Sequence, residues 1–143
     1  MIVPIHVDGR ALRGRREKMC QSADAIGGTV EASDESTICL LLFYAAECGL
    51  KERILQRGNH RSTQGVPLTH NLRALAKELR LPPSIGAQLE CLDRCRRKNL
   101  QRDKLAIHEL HEAWRYGAKL NETDQKKAQE ALRALIDWCR NDT

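Results

Sequence analysis

Two pairs of residues in this chain stand at spacings that could hold a metal ion. Cys91-x3-Cys95 and His108-x2-His111 are helical spacings, each able to aim two side chains at one ligand. The matching chemistry would be tetrahedral zinc on thiolate and imidazole donors. The Cys-x2-Cys knuckle of most structural zinc sites is missing, and both cysteines fall at a helix edge in a cysteine-rich core. We therefore expect no metal and no cofactor. There is no phosphate-cradling glycine loop, no dinucleotide-binding glycine pattern and no nucleophile elbow. Asp93, Asp103, Glu109 and Glu112 do not form a paired-carboxylate site. Imidazoles and cations remain. On a helical wheel with Leu110 toward the core, Ile107, Ala113, Trp114 and Gly117 point inward. His108, His111, Glu112 and Arg115 gather on the opposite face, with Leu105 and Tyr116 beside them. Apolar residues on an outward face suggest a second contact surface, although a solvated polar face is the plainer reading.

The cations are clustered. The net charge is +5 and the isoelectric point about 9.0. Arg10, Arg13, Arg15, Arg16 and Lys18 form one group; Arg94, Arg96, Arg97, Lys98, Arg102 and Lys104 form another. Clustering of this kind favours a polyanion or an acidic protein, and a solvated face is its bland alternative. Arg94, Arg96, Arg97, Lys98, Lys104 and Arg115 are the candidate nucleic-acid contacts.

A chain of 143 residues is one domain on length. Aromatics are only 3%, so the core must be built from Leu, Ile and Ala, which suits helices better than sheets. No apolar run approaches the roughly 20 residues of a membrane span, and the N-terminus does not read as a signal peptide. A cytoplasmic protein with no membrane association is expected. Its six cysteines would be reduced and structural.

The expected fold is all-α, an up-and-down bundle of about five helices with an irregular N-terminal arm. Residues 1–33 read as a basic, partly flexible arm. Ile2 to Val7 is its only strand-like stretch; residues 8–25 are compatible with a basic helix that Gly27-Gly28 would break, but its apolar positions (Ala11, Leu12, Met19, Ala23, Ile26) make a poor stripe. The bundle would occupy 34–143. Ser33-Asp34 caps a helix so apolar that it must be central, with Gly58 as its C′ residue. Thr69 caps the next helix, and Pro82-Pro83 stops it. Ser84 opens a third, running to about Lys98. A basic joint over 94–104 leads into the helix of Ile107, Leu110 and Trp114. Asn121 opens the last, with Ala128, Ala131, Leu132, Leu135 and Cys139 as its stripe.

Tyr44-Ala-Ala-Glu47 on the first long helix, Thr69-His-Asn-Leu72 on the next and Trp114-Arg-Tyr-Gly117 near the last together resemble the HEPN family (higher eukaryote and prokaryote nucleotide-binding domains). The resemblance covers roughly residues 34–140. It implies a helical bundle that works as a homodimer, either as a metal-independent endoribonuclease or as a non-catalytic binding module. The ribonuclease would belong to a toxin–antitoxin or antiviral defence system. The module would dock a larger protein or nucleic acid through its basic surfaces. Catalytic members carry Arg, spacers and His, which Arg102-Asp-Lys-Leu-Ala-Ile-His108 matches and Arg53 to His60 also fits. We prefer the former because it lies in the basic joint. His108 would then move a proton of the ribose 2′-OH or leaving oxygen, Arg102 would hold the phosphate, and Asp103 would position one of them. The two would converge if a helix began near Asp103. RNA is the implied ligand; an antitoxin or larger defence subunit is the implied protein partner. His70 would help cap or orient its helix.

Overall fold

The computed structural model describes residues 6–27, 35–59, 61–65, 69, 71–98 and 100–141, with backbone alone at 100–103. Among them are six α-helices: α1 Gly9–Gly27, α2 Glu35–Gly58, α3 Leu72–Lys77, α4 Pro83–Leu92, α5 Leu110–Arg115 and α6 Glu122–Asn141. Two short strands, β1 Arg96–Arg97 and β2 Leu100–Lys104, pair antiparallel between α4 and α5. The chain is an all-α bundle with one small hairpin.

The central helix is α2, as its breadth of apolar residues demands. It buries Ile38, Cys39, Leu42, Phe43, Ala45, Ala46, Leu50, Ile54 and Leu55 against α1, α3, α5 and α6. It continues through Gly58, and the left-handed residue that ends it is Asn59 (φ 56°), not the expected glycine. The α6 stripe is as read: Ala128, Ala131, Leu132, Leu135 and Cys139 are all fully buried. Glu35 of α2 meets Gln125 of α6, and Arg53 meets the Cys139 carbonyl, so α2 and α6 run in the same direction. The cations Arg133 and Arg140 of α6 meet Asp24 and Glu17 of α1, so α1 runs against both.

The helix read over residues 8–25, within the N-terminal arm, spans Gly9–Gly27. Asp8 caps it, its carboxylate accepting the Ala11 N–H at 2.8 Å. Its buried positions are Leu12, Arg16, Cys20 and Ala23, at steps of four, four and three that trace one helical face. Arg16 sits in the middle of that stripe, which is why the apolar pattern alone looked poor. Its guanidinium donates to Glu52 of α2 at 3.0 Å, and both side chains are under 10% exposed. The same carboxylate accepts from Arg13 at 3.0 Å and from Gln56 at 3.3 Å. Gly49 lies beside this pair. A Cβ there would come within 3.0 Å of Cys139 Cβ and Sγ and 3.3 Å of Arg16 Cδ, so glycine allows three helices to cross closely. Leu12, Cys20 and Ala23 join one continuous core with the rest.

Three further boundaries move. Asn71, not Thr69, is the N-cap of α3; its Oδ1 accepts the Arg73 N–H, and the Thr69 hydroxyl accepts the Asn71 N–H, both at 3.0 Å. Pro83 occupies the first turn of α4, where a missing N–H costs nothing. That helix stops at Leu92, and the basic joint is a hairpin. Ser33, Asp34, His60, His70 and residues 1–5 lie outside the described residues, so the first cap of α2, the Arg53–His60 alternative and the capping role of His70 do too. No helix of the described residues is long and apolar enough to cross a membrane.

Glu52→Ala should cost about 3–5 kcal/mol of stability in urea unfolding, because Arg16 is left buried without its main counter-charge. Adding Arg16→Met should restore much of that loss. A cost below about 1 kcal/mol for Glu52→Ala would mean that the pair behaves as a surface contact.

Candidate nucleic-acid interface

The hairpin stands where it does because other elements satisfy its backbone. The Arg96 N–H donates to Asp124 Oδ2 at 3.0 Å, and the Arg96 carbonyl accepts the Asn121 N–H at 2.8 Å. The Lys98 N–H donates to the Lys119 carbonyl at 2.9 Å, and Arg97 bridges to Leu120. The Leu105 N–H closes the base onto the Cys95 carbonyl at 2.8 Å. A helix continuing past Leu92 would forgo these bonds. Across the ladder Arg96 faces Lys104, and the register slips between Arg96 and Arg97. Like charges directly opposite destabilise a strand pair. Asp124 relieves this, its carboxylate taking the Arg96 guanidinium at 2.9 Å. Burial alone would raise the Asp124 carboxyl, but hydrogen bonds from the Arg96 guanidinium and backbone outweigh it and hold the group below its ordinary value.

Between hairpin, α4 and α6 lies a cleft of about 310 Å³ lined by Cys91, Arg94, Arg96, Lys104, Asp124 and Lys127. Four cations meet one acid there, and that acid is committed to Arg96. A second cleft of about 240 Å³ carries Lys98 and Lys119 but also Glu35 and Glu122, so its charge is balanced.

The candidate contacts thus divide. Arg94, Arg96 and Lys104 share the positive cleft; Arg97 is exposed on β1, and Lys98 faces the balanced cleft. Arg115 is elsewhere, donating to the Tyr44 hydroxyl of α2. This joins the Tyr-Ala-Ala-Glu and Trp-Arg-Tyr segments. The hydroxyls of Tyr44 and Tyr116 push its guanidinium above the ordinary value. Lys127 and Lys119 were not singled out from the sequence. The available signal was their position on the polar side of α6 and just before its start, but only the folded chain brings them beside the hairpin.

Arg102 and Asp103 lie in β2, ahead of the helical turn rather than at its first residues, and their side chains are outside the described ones. Asp103 is therefore no helix N-cap. The helical segment begins as a 3₁₀ turn, Ile107–Glu109, capped at Ala106. Two carboxylates hold that turn. Asp93 accepts the Ile107 N–H at 2.9 Å while pairing with Arg73 of α3, and Glu109 accepts the Ala106 N–H at 3.0 Å. His108 projects from it, exposed.

His111 does not face outward. It is buried against Phe43, with ring centroids 5.6 Å apart and planes 29° apart. Leu110 is at one edge of the buried arc rather than its centre: Trp114 and His111 lie about 40° and 100° further round the same way. His108, Glu112, Arg115 and Tyr116 are exposed as expected, whereas Leu105 packs partly on the core.

All six cysteines are free thiols. Burial pushes Cys39 and Cys95 up to about 12 and Cys48 up to about 11, so these remain protonated and poor nucleophiles. Among the described residues no group of three or more His, Cys, Asp or Glu side chains converges on a metal position. No family model, no curated protein and no solved structure matches this chain.

The depressed Asp124 carboxyl contributes stability that is full above its unfolded value of about 4 and is lost as pH falls through the lower folded value. Thermal melts of wild type and Asp124→Asn from pH 7 to 3 should show a shallower acid decline in the variant. Parallel declines would mean that Asp124 does not anchor the hairpin.

Proposed function

We propose that this chain is a HEPN-like domain that binds nucleic acid, RNA foremost, through the cleft between β1–β2, α4 and α6. The observation that carries this reading is charge without compensation: Arg94, Lys104 and Lys127 surround one concavity whose single acid already serves Arg96. Cations held together in this way repel one another until an anion enters. A phosphodiester chain supplies that anion and gains affinity from released counterions. The protein then works as a docking module, alone or as a homodimer, or joined to an antitoxin or larger defence subunit.

A second reading, a metal-independent endoribonuclease of the same family acting as a toxin or defence effector, is favoured by the exposed His108. Two residues separate its turn from β2, the strand that carries Arg102 and Asp103. His108 would transfer the proton and Arg102 would steady the phosphate, Asp103 positioning one of them.

Arg94→Glu with Lys127→Glu should weaken binding of a labelled RNA at least tenfold and lower the slope of log affinity against log salt by roughly 1–2, with unchanged circular dichroism. Unchanged affinity would remove the cleft from the interface. Incubating total RNA with the protein in EDTA, beside Arg102→Ala and His108→Ala, separates the two readings. Cleavage lost in both variants makes it a nuclease. No cleavage, or cleavage surviving both changes, leaves the binding module.

A further inference from the structure

Tyr116 is the anomaly of the surface. The chain has five aromatic side chains other than histidine, and four of them are spent on packing: Phe43 and Trp114 are buried, Tyr44 and Trp138 half-buried. Tyr116 is 78% exposed, against 36% for Val7, the other large hydrophobic exposed among the described residues. An exposed aromatic is unremarkable when it sits on a mobile tip. This one sits on a fixed helix end. The Gly117 N–H donates to the Trp114 carbonyl at 3.3 Å, and the Ala118 N–H donates to the Ala113 carbonyl at 2.7 Å, with Gly117 left-handed at φ 72°. The position is held from the side as well. Arg115, the residue before it, donates to the Tyr44 hydroxyl and so ties the last turn of α5 to α2.

The segment that follows the ring brings cations close, with the acids Glu112, Glu35 and Glu122 among them. Three residues on, Lys119 accepts the Lys98 backbone bond, and Leu120 bridges to Arg97. Three peptide units span at most about 11 Å, so the Tyr116 backbone lies within that distance of Lys119, which in turn bonds the hairpin edge at Lys98. An exposed π-face on the segment leading to Lys119, which is itself bonded beside Lys98 and Arg97, combines the two elements of single-strand recognition, a stacking surface and cations that can meet phosphates. A paired base, stacked within its duplex, presents no free face to such a ring.

We infer that Tyr116 is a stacking platform for an unpaired base, flanked by Arg97, Lys98 and Lys119 as phosphate contacts. The ligand of this surface is therefore single-stranded rather than duplex nucleic acid. The inference rests on the nucleic-acid reading above and adds its strand class.

The test is fluorescence anisotropy at one fixed salt concentration with a labelled oligouridylate of about 12 nucleotides and an RNA duplex of equal length, strand integrity being checked on a gel. Wild type should prefer the single strand. Tyr116→Ala should lose roughly 5- to 100-fold for the single strand and nothing for the duplex, while Tyr116→Phe keeps the ring and the affinity. Equal single-strand affinity for wild type and Tyr116→Ala overturns the platform, as does a wild type that binds duplex as tightly as single strand; both leave the nucleic-acid reading standing. Wild type that binds neither overturns both readings. Loss of self-association in Tyr116→Ala by sedimentation, with RNA affinity intact, would assign the ring to a protein contact and sink the platform.

Discussion

Arg16 and Glu52 are opposite charges taken out of water together, and the crossing of α1 on α2 is built around their pairing. Neither is tolerable alone at that depth, and the attraction repays desolvation only when the geometry is good and the remaining lone pairs are used. Both conditions are met. Glu52 is 2% exposed and also receives Arg13 and Gln56, while Arg16 also donates to Glu17 at 3.0 Å. The network reaches the surface through Arg140 of α6, whose hydrogen bonds hold the Glu17 carboxyl below its ordinary value. Gly49 lets the α1 arginine stem and the α6 cysteine approach the α2 backbone at the same place. The crossing is at once an electrostatic and a steric arrangement.

From that crossing α6 carries order to the other end of the molecule. It is 20 residues long, so its ends are about 30 Å apart. Its C-terminal part packs at Gly49 and gives the Cys139 carbonyl to Arg53 at 2.7 Å; its first turn, through Asp124, holds the hairpin. A two-stranded ribbon is marginal by itself. This one, with a register slip and two facing cations, is sustained by bonds from α6 and from the segment just before it. The positive cleft is thus a product of the frame, since three elements must meet to form it.

Legibility followed the locality of the signal. The α6 stripe and the apolar breadth of α2 were readable because burial periodicity is written within a few residues, whereas α3 stops at Lys77, ahead of the prolines expected to end it. The α1 stripe was half readable, since a buried arginine counts as polar until its acid, 36 residues away, is known. The hairpin was not readable. A run of Arg, Lys, Asn and Gln has no alternating apolar pattern, and its strand conformation is imposed by Asp124, Asn121 and Lys119. His111 was misplaced because the buried arc of α5 includes an imidazole stacked on Phe43, a contact no wheel of α5 alone can show.

By itself, then, the sequence determined the helical class, the central helix and the position of the basic stretch, because composition and periodicity select how a segment hides its apolar side chains. Only the tertiary structure decided which charges are paired and which are free to act. Arg16 was withdrawn into the core and Arg115 tied to Tyr44, while Lys127 was brought beside Arg94 and Tyr116 was left outside. The reason is that a charge takes its role from its nearest opposite charge and from its access to water. Both are set by elements distant in the chain.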